Sequence, residues 1–200
     1  MRRFAFLLLL LVMSCPAILR AQEKPADKPP ATPTTPTAGA RLEFLDEISY
    51  FEQRFLRLAD AIPADKYSWR PGEGVRSIGE VYMHVVAANY GIARALGTPF
   101  PAGVDPKAIM TSAGDKAKVS QGLKDSFAHF RTAILTVKDS DLDNAQKMFG
   151  RQTTVRGSFI MIAGHYGEHL GQSIAYARQI GIIPPWTEER QKQDAEKPKQ

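Results

Sequence analysis

The apolar residues of this chain recur at intervals of three and four over long segments, and this spacing constrains the fold more than any other feature. In the first segment the intervals alternate without a break through Phe44, Ile48, Phe51, Phe55, Leu58 and Ile62. Residues spaced in this way lie along one face of an α-helix. The pattern therefore predicts a helix that buries Phe51 and Phe55 and ends before Pro63.

Three further segments have the same character. Ser77 and Glu80 are spaced as a capping box, which predicts a second helix over about Ser77–Leu96. Apolar stripes predict a third helix over about Asp115–Val137 and a fourth over about Val155–Ile180. No segment alternates apolar and polar residues convincingly, so no strand is predicted. Four helices of similar length predict an all-α protein, a four-helix bundle.

The first 21 residues have the form of a secretory signal peptide, because Met1-Arg2-Arg3 precedes a run of apolar residues from Phe4 to Met13. As a helix such a run reaches only about 15 Å, too short for the ~30 Å core of a bilayer. We expect cleavage after Ala21, export to the periplasm or the medium, and no transmembrane segment in the mature chain. The alternative is lipoprotein processing, with Cys15 lipidated.

The rest of the chain divides by composition. Residues 22–40 are rich in proline, threonine and alanine and predict a disordered linker. Residues 41–186 are long enough to bury one sizeable core and predict a single domain. Residues 187–200 alternate charges and predict a disordered tail.

Charge and cysteine content exclude several classes of function. Removing residues 1–21 takes away three of the 26 basic side chains and none of the 21 acidic ones, so the net charge falls from +5 to +2. No basic block remains, and we expect no nucleic-acid partner. Cys15 is the only cysteine, so the mature chain has neither a disulfide nor a thiolate nucleophile.

Histidines carry the clearest chemical signal. His165 and His169 are four residues apart in the fourth predicted helix and therefore lie on one face. His84 lies on the second helix among small residues. Three buried imidazoles are costly unless each is satisfied, and a divalent ion bound to one nitrogen of each ring would remove that cost. The spacing also fits ordinary core histidines. His129 falls off its stripe and is predicted to be a solvated surface residue.

Other catalytic templates are absent from the sequence. It contains no His-Glu-x-x-His metalloprotease motif and no Glu-x-x-His pair of a di-iron bundle. It also lacks a phosphate-binding glycine loop and a serine nucleophile elbow.

Several short motifs resemble the DinB-like superfamily of four-helix-bundle proteins, which includes bacillithiol and mycothiol S-transferases and maleylpyruvate isomerases. The resemblance covers roughly residues 42–186. Its marks are Ile62-Pro63, Tyr67-Ser-Trp69-Arg-Pro71, Arg76-Ser77-Ile78-Gly79-Glu80 leading to His84, His165-Tyr-Gly-Glu-His169-Leu-Gly-Gln172, Tyr176-Ala-Arg178 and Gly181-Ile-Ile-Pro184-Pro185. Each motif is modest, but their order and spacing together are specific.

The resemblance implies that His84, His165 and His169 bind a divalent metal ion: zinc, nickel, iron or manganese. It also implies a homodimer. The implied activity is that of a metal-dependent hydrolase or transferase on an unknown small substrate, and the alternative is a non-catalytic bundle that binds a metal or a ligand. A thiol transferase is disfavoured, because export would separate the chain from a thiol made in the cytosol.

Four other residues are candidates for supporting roles. Glu80 lies one turn before His84 and is a candidate general base or hydrogen-bond acceptor for a ligand, although its capping role is favoured. Tyr67, Trp69 and Tyr176 are expected to line the pocket, with Trp69 the most readily explained as core.

Overall fold

The computed structural model of the chain describes residue 36 and residues 39–197. The predicted signal peptide, Cys15 and nearly all of the predicted linker lie outside these residues. The described part contains five α-helices and a two-stranded antiparallel hairpin: α1 (Ala40–Ala61), α2 (Ile78–Ala95), α3 (Lys116–Thr136), β1 (Ala145–Met148), β2 (Arg151–Thr154), α4 (Val155–Gln179) and α5 (Pro185–Glu196). Helices α1 to α4 are the four predicted helices, and the all-α fold is confirmed. No described helix has the length and apolar character needed to cross a membrane.

Helix α1 buries the predicted stripe. All six of its apolar members are buried, including Phe51 at 7% exposure and Phe55 at 0%. The helix ends where Ile62 turns to an extended backbone ahead of Pro63. The spacing of the apolar residues therefore predicted the buried face of this helix, and Pro63 predicted its end.

The other long helices begin at side-chain caps. Ser77 accepts a hydrogen bond from the Glu80 amide, and the Glu80 carboxylate accepts one from the Ser77 amide, which completes the predicted capping box of α2. The Asp115 side chain accepts from the Lys118 amide at the start of α3, and the Thr154 side chain accepts from the Gly157 amide at the start of α4. Each cap satisfies an amide that the helix itself leaves without a partner.

A segment before α2 is held tightly against its first turn. The amides of Ile78 and Gly79 donate to the carbonyls of Trp69 and Tyr67, at 3.0 and 2.9 Å. Position 79 must be glycine, because a Cβ there would lie 1.7 Å from the carbonyl oxygen of Ala113. This contact brings the loop before α3 onto the start of α2.

The core between the helices is aromatic. Tyr166 of α4 is fully buried and lies within 6.4 Å, between ring centroids, of Phe51, Phe55, Phe127 and Phe130. These rings come from α1, α3 and α4. Burial of such side chains is the main stabilising contribution to the fold.

The hairpin was not expected, and the prediction of no strand is wrong at residues 145–154. Ala145 pairs with Thr154 and Met148 with Arg151, around a two-residue turn in which Phe149 and Gly150 have φ of 48° and 77°. Both values lie in the left-handed region that type I′ hairpin turns use. The hairpin is fixed to the bundle by the Gln146 side chain, which donates to the Ala95 carbonyl at 2.9 Å.

The tail also differs from expectation, because residues 185–196 form helix α5 rather than a disordered segment. Pro185 occupies the first helical position, where proline is favoured. Glu188 and Lys192 form an ion pair across one turn at 2.9 Å. Arg54 of α1 lies 4.4 Å above the Trp186 ring, and Arg57 pairs with Glu189, so the new helix is anchored on α1.

Candidate metal centre

The three predicted ligands meet between α2 and α4. The ring centroids of His84 and His169 are 4.6 Å apart, those of His165 and His169 are 4.5 Å apart, and those of His84 and His165 are 5.4 Å apart. Each ring offers one nitrogen such that the three nitrogens lie within 4.8 Å of one another. His169 is buried, and His84 and His165 are half-buried. The spacing in the sequence paired His165 with His169, the resemblance added His84, and the fold brings all three together.

The tautomer of His169 follows from its neighbours. Its Nδ1 lies 3.0 Å from the Gln172 side-chain oxygen, and the amide nitrogen of Gln172 donates to the Tyr176 hydroxyl at 2.9 Å. A carbonyl oxygen only accepts, so Nδ1 of His169 donates and its Nε2 keeps a free lone pair. Partners of this kind orient the histidines that bind metals.

The other two rings are held in the neutral form. Burial, together with Arg76, lowers the pKa of His84 to about 4. Burial and the neighbouring His169 and His84 lower the pKa of His165 to about 4 as well. Neutral imidazoles have lone pairs available for a metal ion near pH 7.

The donor set fits a divalent transition-metal ion. The Nε2 atoms of His84 and His165 face each other at 3.3 Å, close enough for both nitrogens to bind one ion. Nδ1 of His165 is buried and has no hydrogen-bond partner among the described residues. Three neutral imidazoles suit zinc, nickel, copper and iron. The residues present therefore match the implied group.

A buried hydrogen-bond chain sets the position of α4, which carries two of the histidines. The Tyr166 hydroxyl donates to the side-chain oxygen of Asn89 at 2.7 Å, and the Asn89 amide donates to Ser126 at 3.1 Å. All three residues are buried. These hydrogen bonds link α4, α2 and α3, so they fix the direction of His165, which is next to Tyr166. In the sequence, the available signal for this network was the presence of polar residues on faces predicted to be buried.

The aromatic residues expected at the pocket separate into two groups. Tyr176 contacts Gln172 as described, and the half-buried Trp69 packs edge-on against Tyr176 with centroids 5.7 Å apart. Tyr67 belongs to the core instead, because it is fully buried and its hydroxyl donates to the Ala59 carbonyl at 2.7 Å. A hydroxyl in the interior needs such a partner, and here that partner lies on α1, away from the histidines.

Glu80 is committed to local interactions. Its carboxylate accepts from the Ser77 amide at 2.7 Å and from Arg70 at 3.2 Å. These contacts, the amide first, lower the pKa of the carboxyl group below its ordinary value. A low pKa makes a poor proton acceptor near neutral pH, so the capping role is supported over that of a general base.

His129 is not the solvated residue that its position off the stripe predicted. It is half-buried, its ring lies 5.4 Å from that of Tyr90, and its Nε2 is buried without a described partner. Burial lowers its pKa. The long connection between α2 and α3, which includes Pro99, packs over this part of α3. The apolar stripe of α3 alone does not show that a loop buries this residue. His129 does not belong to the three-histidine cluster.

The fold and the cluster define a class: a helical bundle with three converging histidines on its second and last long helices. The chain belongs to the DinB superfamily, whose family model matches residues 47–173. A crystal structure of a DinB-like protein from Bacillus cereus ATCC 10987 is similar, with a TM-score of 0.60, 24% sequence identity, and coverage of 71% of this chain and 93% of that one.

A DinB-like protein from Bacillus subtilis has a TM-score of 0.47 and 21% identity, covering 70% of this chain and 93% of that one. No curated protein is significantly similar to the chain. The superfamily assignment therefore comes from the family model, and the Bacillus cereus structure agrees with the fold.

Proposed function

We propose that the protein binds one divalent metal ion through His84, His165 and His169. The observation that carries this proposal is the convergence of three imidazole nitrogens within 4.8 Å. Zinc, nickel, iron and manganese are the proposed ions. Membership of the DinB superfamily supports the same assignment.

The proposed activity is that of a metal-dependent hydrolase or transferase acting on a small substrate. An ion held by the three histidines would activate a water molecule and act as a Lewis acid toward a carbonyl or similar electrophile. The chain itself contributes the three imidazole ligands, and Gln172 holds the His169 ring in one orientation. Two of the ligands are half-buried, so substrate would approach from the side of His84 and His165. A non-catalytic metal- or ligand-binding bundle is the alternative.

We propose further that the protein is exported, with residues 1–21 removed or with Cys15 lipidated. Mass spectrometry of the protein from its native host should then show a chain beginning near Gln22 or a lipidated Cys15. A dominant intact form beginning at Met1 in the cytosol would contradict export. It would also make a thiol transferase a possible function again. A homodimer is also proposed, and sedimentation of the purified protein tests it.

The decisive test of the metal site uses the fourth histidine as a matched control. Purified His84→Ala, His165→Ala and His169→Ala should each lose metal affinity by about 100-fold or more, because each leaves two ligands around the ion. His129→Ala should keep the metal content of the unaltered protein. Bound metal is measured by elemental analysis, and helix content by circular dichroism.

The outcomes of this series separate the hypotheses. Full metal retention by His84→Ala would reduce the site to the His165 and His169 pair on one helix. Metal loss in His129→Ala with the helices intact would contradict the assignment of ligands. Activity of the metal-loaded protein on a panel of ester, amide and phosphoester substrates, absent from the metal-free form, would distinguish an enzyme from a binding protein.

A further inference from the structure

The tip of the hairpin places an aromatic ring against the histidine cluster. Phe149 is the first residue of the turn between β1 and β2, and its ring stacks on His165 with centroids 5.3 Å apart and planes 25° apart. The residue is nevertheless 48% exposed. Phe149 therefore covers one side of a predicted metal ligand while it presents its other side to solvent.

Folding alone does not explain a phenylalanine at this position. Phe149 has φ of 48° and is the only non-glycine residue with positive φ in the part of the chain that the structure describes. Bulky side chains are disfavoured there, and type I′ turns prefer asparagine, aspartate or glycine. The ring gains only partial burial in return. Unfavourable backbone conformations of this kind are concentrated at binding sites and active sites.

Phe149 also forms one wall of a groove of about 270 Å³ between the hairpin and α2. The residues that line the groove are Ala88, Gly91, Ile92, Ala95, Lys147, Met148 and Phe149. Ala88 follows His84 by one turn and lies on the same face of α2. A Cβ placed on Gly91 would meet nothing within 4 Å, so the α2 wall is open. The groove thus runs along α2 beside the histidine cluster, with Phe149 in contact with both.

The charged side chain that lines the groove, Lys147, is positive. Lys147 is exposed, and neither the Lys147 ammonium nor the Arg76 guanidinium has a hydrogen bond or ion pair with a described residue. Arg76 is close enough to His84 and His165 to act on the pKa of both. Glu168 is the acidic residue that acts on His84. A metal ion on the histidines would add to the positive charge, so the groove favours a negatively charged ligand.

We propose that this groove binds the substrate, and that the substrate is a small organic anion with a flat apolar body. The body would pack against Phe149 and the small residues of α2, and the negative charge would face Lys147. This substrate class rests on the proposed function, in which the adjacent histidines hold the reacting metal ion. Phe149 and Lys147 are then specificity residues that the ligand contacts directly.

The test uses the metal-free protein, so that the groove is examined without the ion. Phenylacetate is the probe, and phenylacetamide, which has the same shape and no charge, is its control. We expect phenylacetate to shift the backbone amide resonances of residues 88–92 and 147–150, with a dissociation constant on the order of 1 mM for so small a ligand. Phenylacetamide should bind about threefold more weakly, because one exposed charge pair is lost.

Three variants assign the effect to particular side chains. Phe149→Asn should weaken binding of both probes by about tenfold, since the stacking surface is removed. Its fold should be retained, because asparagine tolerates the left-handed conformation. Lys147→Gln should weaken phenylacetate about threefold and leave phenylacetamide unchanged. Lys107→Gln, an exposed lysine between α2 and α3, is the matched control and should change neither.

Specific results would overturn the proposal. Absence of shifts at the groove amides, or full affinity in Phe149→Asn, would exclude this groove as the site. Equal affinity for the two probes, unaffected by Lys147→Gln, would exclude an anionic substrate. Because no metal is present, failure of the histidines to bind metal would leave a positive result here intact, so the two proposals fail separately.

Discussion

Two parts of the bundle interior, the α1–α3 side and the gap between α2 and α4, have opposite chemistry. On the α1–α3 side, Phe44 packs edge-on against Phe130 and Phe55 lies beside Phe127, with ring centroids 6.1 Å apart in both pairs. The gap between α2 and α4 contains the histidine cluster and Gln172. Helices α2 and α4 also pack against each other far less closely than α1 and α3 do.

The difference shows where stability and chemistry reside. Close apolar packing supplies the free energy of folding, and a site of half-buried polar groups contributes little to it. The aromatic side therefore holds the helices in place, and the region between α2 and α4 carries the candidate metal ligands. The fold should depend on one region and metal binding on the other.

The largest effect is expected from the aromatic side. Phe55→Ala should lower the free energy of unfolding by about 3–5 kcal/mol, because Phe55 is fully buried and the change leaves a cavity. Phe51→Ala should be similar. Urea denaturation followed by circular dichroism measures the loss.

Tyr50→Ala is the matched control for these two substitutions. Tyr50 is on the same helix but 46% exposed, so its replacement should change the free energy of unfolding by about 0.5 kcal/mol or less. A loss under about 1 kcal/mol in Phe55→Ala would mean that the stripe of α1 does not carry the core.

Removal of the metal tests the region between α2 and α4. Protein saturated with metal at about 100 times the dissociation constant should be more stable than the metal-free form by about 2.7 kcal/mol. The metal-free form should keep its helical circular dichroism and its cooperative transition, because the apolar stripes hold the helices. Thermal and urea unfolding with and without a chelator make the comparison.

His169→Ala controls for effects of the chelator, since an affinity weaker by 100-fold or more leaves the metal a stabilisation of about 0.4 kcal/mol or less at these concentrations. Loss of helix content in the metal-free form would show that the ion is required for folding, as in a zinc finger, and would break the division between the two regions.

The third prediction concerns Gln172, which orients the His169 ring. Gln172→Leu removes the acceptor for Nδ1 of His169, and metal affinity should fall by about 10–100-fold. Gln121→Leu is the control, because Gln121 is an exposed α3 residue that bonds Asp125 at 2.8 Å. Metal titration of both proteins gives the affinities. Unchanged affinity in Gln172→Leu would mean that another residue sets the His169 ring.

The features that the sequence predicted well have local signals. The stripe from Phe44 to Ile62, the Ser77 capping box and the spacing of His165 and His169 each follow from helix geometry within one segment. The meeting of His84 with the other two histidines required the resemblance to a family, since the pairing of α2 with α4 is a tertiary property.

The unpredicted features depend on tertiary contacts or on unusual residues. The strands of the hairpin are short and polar, and its turn is Phe149-Gly150 rather than Asn-Gly, so neither hairpin signal was present. Helix α5 is stabilised by Arg54 and Arg57 of α1, which its own charged sequence does not reveal. The missed hairpin is the element that forms one side of the groove, so the sequence pointed to the candidate metal ligands but not to the proposed substrate site.

The smallest effect is expected at Glu80, which lies at the boundary of the two regions. If its carboxylate serves the cap, Glu80→Gln should cost about 0.3–1 kcal/mol of stability, because glutamine still completes a capping box but loses the favourable charge at the helix N-terminus. The pKa of this carboxyl group is lowered from 4.5, so its charge stabilises the fold above pH 4.5 and that contribution disappears as the pH falls through the lowered pKa. The difference in free energy of unfolding between Glu80→Gln and the unaltered protein should therefore be full at pH 7 and shrink toward pH 3.

The metal affinity of Glu80→Gln at pH 7 should be unchanged. A large fall in metal affinity with stability unaltered would instead show that Glu80 supports the metal site. The polar region between α2 and α4 would then include the first turn of α2.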